Sequence, residues 1–235
     1  MSIIKKSTIV GVAGAFAVAA TLGFAAADAA KKGPNAGAKG TAEAAAPVAA
    51  IALADQLAVY GIRNGDAIAI IQAAKMKKQN PGKDMADAKK ATEGKGMKAD
   101  KASGYDLTAD ALLSRAEGMA AGNATLAGLI KDARAAKSRG AVRGPTIHYD
   151  TVLAGNTDAY NIAFRGGEQA AVFVSGDGDT DLDLYVYDES GNAICSDTDN
   201  TDTMLCRWTP AWTGTFQVKV KNYGRVYNRY KLAVN

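Results

Sequence analysis

Six aspartates fall in two short runs, GDGDTD and CSDTDNTD, as Asp177, Asp179, Asp181 and then Asp197, Asp199, Asp202. Carboxylates at alternate positions are the donors a hard cation such as calcium takes, because it binds several oxygens and relieves their mutual repulsion. The first three match the opening ligands of an EF-hand loop. However, the position that must be glycine is Leu182, and the twelfth is Asp188 instead of a bidentate glutamate. An EF-hand is excluded, and two readings stand. Either the two turns meet and hold calcium more loosely, or each aspartate bonds its own backbone as a turn former.

Other chemistry is sparse. His148 is the only histidine, so any triad of the serine or cysteine type would have to use it. It opens the strand-like segment TIHYD, with no G-x-S-x-G elsewhere, and reads as a surface or edge residue. H-E-x-x-H and the Walker A pattern are absent. Cys195 and Cys206 are the only cysteines, and an even count beside an export signal reads as a disulfide. The alternative is two unrelated thiols. Late in the chain, KNYGRVYNRY alternates tyrosine and arginine around a turn. Tyr223, Arg225, Tyr227 and Arg229 are the candidate binding residues there, with Trp212 of RWTPAWTG as a further one. A flat aromatic platform for sugar or protein is one use of such side chains, and core packing is the other.

Composition changes along the chain. Lys5 and Lys6 precede an uncharged, mostly apolar run from Ser7 to Ala27, and Ala27-Asp28-Ala29 has the A-x-A form of a cleavage site. Residues 1–29 are expected to be a signal peptide cut near Ala29, with an uncleaved anchor as the alternative. No later segment reads as a membrane span, so a soluble periplasmic or secreted protein is expected. Residues 30–47 read as a flexible linker rich in Gly, Ala, Pro and Lys. Residues 30–144 carry 19 Lys/Arg and 11 Asp/Glu, whereas residues 145–235 carry 7 and 12, a split that suggests two physically different parts. The basic part lacks interleaved aromatics, so nucleic acid is not an expected partner.

Helical spacing predicts short helices within 48–140. Ile51, Ala54, Leu57, Ala58 and Ile62 share one face, and Ile68, Ile71, Ala74 and Met76 another. They are followed by Leu112, Leu113, Ala116 and Met119, then Leu126, Leu129, Ile130 and Ala133. Asn64-Gly65 and Asn80-Pro81-Gly82 are breaks, and Asp66, Thr108 and Asn123 are predicted caps. Residues 82–105, nearly free of large apolar groups, read as a mobile Lys/Gly-rich loop. From Thr146 the period becomes two, with about eight short strands separated by Gly, Asn and Asp. In DLDLYVYD, Leu182, Leu184 and Val186 should face inward while Asp181, Asp183, Tyr185 and Tyr187 face away. The fold class is an α + β two-part chain: an Ala-rich bundle of short helices, then an antiparallel, jelly-roll-like β-sandwich over 146–235.

The motifs AYNIAF, DTDLDLYVYDESGNAI, WTGTFQVKV and YKLAV, in that order, resemble the bacterial pre-peptidase C-terminal domain family over about residues 146–235. The resemblance implies a non-catalytic sandwich attached to secreted bacterial proteins, with relatives that bind collagen and calcium. No protease segment precedes it here. The expected function is therefore an exported, non-catalytic binding module of the envelope or cell exterior, contacting polysaccharide or protein, with calcium as a candidate cofactor. The alternatives are an accessory protein that docks a partner through its thin helical segment, and a hydrolase-associated protein.

Overall fold

The computed structural model describes residues 33–85, 88–96, 99, 104–137 and 144–235. The signal-peptide expectation, with its cleavage point, lies outside these residues. Among the described residues there are four α-helices: α1 (Ala46–Asn64), α2 (Ala67–Gln79), α3 (Ala109–Met119) and α4 (Ala124–Ala135). Their ends follow the predicted chemistry. Gly65 closes α1 in the left-handed conformation at φ 66, which glycine adopts without the strain a Cβ would bring. Asp66, Thr108 and Asn123 each accept a backbone N–H three residues on, from Ala69, Ala111 and Leu126. Helix α2 lies in the middle, touching the other three. Its Ile70 and Ile71 pack with Leu112, Leu113, Ile130 and a set of alanines. Two predicted core residues are corrected. Ile68 is 62% exposed and Leu129 is 39% exposed, because Ile70 and Ile130 occupy the inward positions two and one residues on.

The described residues also form ten strands: β1 (Lys83–Asp84), β2 (Lys90–Glu93), β3 (Thr146–Val152), β4 (Thr157–Phe164), β5 (Ala170–Ser175), β6 (Leu182–Tyr187), β7 (Ala193–Asp197), β8 (Thr203–Trp208), β9 (Gly214–Asn222) and β10 (Asn228–Val234). They form two five-stranded sheets, β1-β3-β10-β5-β8 and β2-β4-β9-β6-β7. All pairs are antiparallel except β1 with β3. Between the sheets, Leu182, Leu184 and Val186 interdigitate with Val172, Val174, Phe216, Val218, Val220, Leu232 and Trp208. The three inward residues of β6 are fully buried. Asp183 is on the opposite face as expected, yet it too is covered, and the Tyr185 hydroxyl donates to its Oδ2 at 2.6 Å.

Cys195 on β7 and Cys206 on β8 form a disulfide with Cα atoms 5.8 Å apart. Because β7 and β8 end different sheets, the bridge staples the sandwich along one edge. Closing a loop of this length contributes about 3 kcal/mol.

Two sequence expectations are corrected here. The described part of 82–105 is not simply a mobile loop: β1 and β2 each extend a sheet. Strand pairing satisfies backbone groups without large apolar side chains, and Met85 and Ala88 still pack against the sandwich core. Residues 33–47 are likewise tied down. Asn35 is fully buried. Its side chain donates to the Trp212 carbonyl and accepts from the Trp212 N–H, while its own N–H donates to Asp188. The amide thus copies a strand neighbour's pair of hydrogen bonds.

Helix α1 also differs from expectation. Ala42–Asn64 is long and apolar enough to cross a membrane by length and composition, with mean hydropathy 1.5. Here its apolar face is used inside the protein. Ala45, Val48, Ile51 and Ala52 pack on Ala171, Phe173 and Ala233, which project from the outer face of the first sheet. The helices are therefore a third layer on the sandwich, and residues Lys31–Asn235 make one compact unit.

Candidate binding cleft between the helices and the sandwich

The two acidic turns meet, with Gly176 N–H donating to the Asp202 carbonyl and Leu182 N–H to that of Thr201, and four of the predicted aspartates accept hydrogen bonds there. Asp197 Oδ2 accepts from Leu205 N, and Asp199 Oδ1 accepts from the N–H and hydroxyl of Thr201. Asp202 Oδ2 accepts from Gly178 N at 2.5 Å, and Asp177 Oδ2 accepts from Arg229 N at 3.2 Å. Burial pushes the Asp202 carboxyl above its ordinary range. Burial, then the charges of Asp183 and Asp199, does the same to Asp181. Asp179 is exposed on the same turn. Among the described residues no three His, Cys, Asp or Glu side chains are grouped to hold a metal ion. The acidic runs here build turns and pin strands.

The aromatic candidates do not form one surface. Tyr223 is 51% exposed with the Lys221 ammonium 4.0 Å over its ring. The Arg229 guanidinium lies 5.5 Å over the half-buried Tyr227, and Arg225 is exposed between them. Trp212 precedes β9 whereas Tyr223 follows it. That strand has 9 residues, or roughly 30 Å at about 3.3 Å per residue. Trp212 thus belongs elsewhere, and its Nε1 donates to Glu189 at 2.6 Å. Trp208 and Tyr230 are core residues.

His148 projects between the sheets, 3.3 Å from Asp150 Oδ2 and edge-on to Tyr160. It borders a polar network that sequence reasoning missed. The Lys90 ammonium donates to Asp150 at 2.8 Å and Asp158 at 3.2 Å. Tyr160 donates to Asp150, Tyr230 to Asp158, and Thr92 to Asp158. Burial, with the neighbouring carboxylates, drives the hydroxyls of Tyr160 and Tyr230 well above the usual tyrosine range, so both stay protonated as donors. This network anchors β2, an exposed edge strand with no large apolar side chain, to the sandwich.

On the outer face of the first sheet the helices do not close completely. They leave a cavity of about 400 Å³. Alternation on β10 sends Arg229, Lys231 and Ala233 outward: Ala233 meets α1, while Arg229 and Lys231 line the cavity. Tyr149 and Thr151 come from β3, Ser175 from the end of β5, and Tyr105 to Thr108 from the approach to α3. Tyr105 is held close by the Gly-rich turn. Its N–H donates to the Asp177 carbonyl at 2.6 Å, and a Cβ on Gly178 would sit 2.6 Å from its ring.

At the cleft's base, Asp55 of α1 takes the Lys77 ammonium of α2 on Oδ1 and the Lys231 ammonium of β10 on Oδ2. Asp55 is 1% exposed. Burial alone would raise its carboxyl, but Lys231 and Lys77 outweigh that and hold it below the ordinary range. Two cations share one carboxylate. Burial therefore pushes Lys231 down to about 8, with Lys77 adding to the fall and Asp55 opposing it. Nothing local in the sequence signals this triad, since Asp55 and Lys231 are 176 positions apart. A charged residue in the middle of an otherwise apolar helix was the one available clue.

No protein-family model and no curated protein sequence matches the chain. Among solved structures it is similar to the pre-peptidase C-terminal domain of a collagenase from Bacillus anthracis. The identity is 18% over 39% of this chain and 89% of that one, with TM-score 0.33. It is also similar to the Yersinia pseudotuberculosis-derived mitogen, at 12% identity over 39% and 85% with TM-score 0.33. A third is PliG, a periplasmic inhibitor of g-type lysozyme from Aeromonas hydrophila, at 15% identity over 39% and 84% with TM-score 0.30. The first of these carries the family name that the motifs of residues 146–235 resemble, and what those proteins do is not carried over.

Proposed function

We propose that this chain is an exported, non-catalytic binding protein that takes a small ligand into the cleft between its helices and first sheet. The carrying observation is the cavity itself. Its volume of about 400 Å³ falls in the roughly 300–1,000 Å³ range of small-molecule sites, and it combines aromatic, hydroxyl and charged side chains. The binding role is supported by the state of the ionisable groups. Both oxygens of Asp55 are committed to ammonium ions, which leaves this carboxylate to fix geometry instead of moving protons. Export is supported by the disulfide, which persists in oxidising compartments, and by the charged, then apolar N-terminal sequence. The accessory-protein alternative would have to use the outer side of the helices, where Leu53, Tyr60 and Ile68 are exposed, because the inner face of α1 is covered by this chain's own sheet.

A thermal-shift screen of sugars, amino acids, peptides, nucleotides and organic acids tests the reading, with each hit checked for chemical change after prolonged incubation. Ligand at about 100 times its Kd should stabilise the fold by about 2.7 kcal/mol. The shift should disappear in a Tyr149→Ala/Arg229→Ala variant, and the hit should be recovered intact. Hits indifferent to these substitutions, or consumed by the protein, would contradict it.

A further inference from the structure

The geometry points to a short neutral oligosaccharide as the ligand of this cleft, with Ser175 as a hydroxyl-reading residue and Tyr149 as its stacking face. The inference rests on the cleft reading above and adds the ligand's chemical class.

Three observations carry it. First, the charges lining the cavity balance. Asp55, Asp106 and Asp177 stand against Lys77, Arg229 and Lys231, while the Asp150 carboxylate is turned to Lys90 and Tyr160 between the sheets. A phosphate or a polycation would meet a like charge wherever it lay. A neutral molecule that both donates and accepts at many points would meet a partner. Second, Ser175 is 4% exposed and lines the cavity, and its Oγ has no hydrogen-bond partner among the described residues. A buried hydroxyl left unpaired is unfavourable, and a ligand hydroxyl arriving at this wall would relieve it. Third, Tyr149 projects from β3 at 65% exposure, and Tyr105 lines the same cavity. Pyranose rings carry one face of C–H groups and a rim of hydroxyls. Aromatic side chains with a polar tip suit that division of surface.

The alternation of strands explains why these groups converge. Tyr149 and Thr151 on β3, Arg229 and Lys231 on β10 and Ser175 on β5 all project from the same face of three adjacent strands. Of the inward residues beside them, Val174, Tyr230 and Leu232 belong to the sandwich core and Asp150 to the polar network of Lys90. The site is therefore set on rigid strands, walled on one side by α1 and α2.

Saturation-transfer NMR on the full chain would use cellobiose, maltotriose and N,N′-diacetylchitobiose as probes, with triglycine as a control, and phosphorus-31 line broadening would follow inorganic phosphate as a second control. At least one sugar should receive saturation, strongest on the ring C–H protons of one face. Tyr149→Ala should weaken its binding by about tenfold or more. Ser175→Ala should weaken sugar binding by severalfold while leaving thermal stability unchanged or raised, because the hydroxyl it removes is unpaired; a merely structural serine would show the reverse. Binding of triglycine or phosphate but not sugar, still sensitive to Tyr149→Ala, would overturn the saccharide assignment while leaving the cleft reading intact. Absence of transfer to every probe would overturn it as well. Sugar binding indifferent to both substitutions would overturn the site.

Discussion

Asp55→Asn should uncouple the helical layer from the sandwich more than any other single change of similar size. The substitution keeps shape but replaces a charge-bearing oxygen with an N–H₂ group, so one buried ammonium faces a donor. Asp55 is 1% exposed, and the Lys77 and Lys231 side chains are 13% and 8% exposed. Removing one partner from a buried ion pair costs about 3–5 kcal/mol. Lys77 can turn partly into the cleft and rehydrate, so the lower end, about 3 kcal/mol, is expected. That is a large fraction of the roughly 5–15 kcal/mol that holds an ordinary domain folded. Urea unfolding followed by tryptophan fluorescence reports the sandwich core through Trp208, and far-ultraviolet circular dichroism reports the helices. The midpoint should fall by about 1 M or more, given slopes of roughly 1–3 kcal/mol/M. An Asp55→Leu/Lys231→Met double variant should recover much of the loss, since apolar pairs often replace buried ion pairs without harm. A loss below about 1 kcal/mol for the single variant, or a double variant weaker than the single, would refute the reasoning.

Further outcomes follow from the same geometry. Lys231, pushed down to about 8, binds fewer protons folded than unfolded between about pH 8 and its ordinary value. Stability should therefore rise with pH across that window, and Lys231→Met should remove this part of the slope in pH-dependent unfolding. Asp55, held below the carboxylate range, contributes stability that is present above about pH 4 and lost as pH falls through its folded pKa; acid unfolding of Asp55→Asn should lack that component. Lys90→Ala should cost about 2 kcal/mol, less than a fully buried pair because this lysine is partly exposed. It should also speed hydrogen exchange across Lys90 to Glu93. Paired Cys195→Ser/Cys206→Ser substitution should lower stability by about 3 kcal/mol, read as a matching midpoint shift when the wild type is reduced. Calcium calorimetry should give no saturable heat; a saturable signal lost in Asp199→Asn would show that the acidic turns rearrange around the ion.

Legibility followed the range of the interaction. Leu182, Leu184 and Val186 could be placed because a strand's alternation is local, and Asp66, Thr108 and Asn123 because a cap bonds three residues on. The disulfide could be paired because there were only two cysteines to pair. The triad could not, since Asp55 meets Lys231 only once α1 lies on the first sheet. Lys231 sits at an outward strand position, where a lysine ordinarily signals solvent. Its burial comes from a layer whose docking no periodicity records. Residues 82–105 misled for the opposite reason: their composition lacks core residues, yet β2 is held by Lys90 and Thr92 through carboxylates 60 to 68 positions away. Tyr149, the most exposed aromatic of the cleft, stood in TIHYD beside a histidine that drew the attention instead.

The most direct test of the cleft is backbone-amide shift mapping of the full chain, titrated with the tightest-binding compound of the thermal-shift screen. The account predicts saturating shifts at Tyr105 to Thr108, Tyr149 to Thr151, Ser175 to Asp177 and Arg229 to Lys231. Shifts confined to the loop from Tyr223 to Tyr227, with the helix-facing positions unmoved, would contradict it.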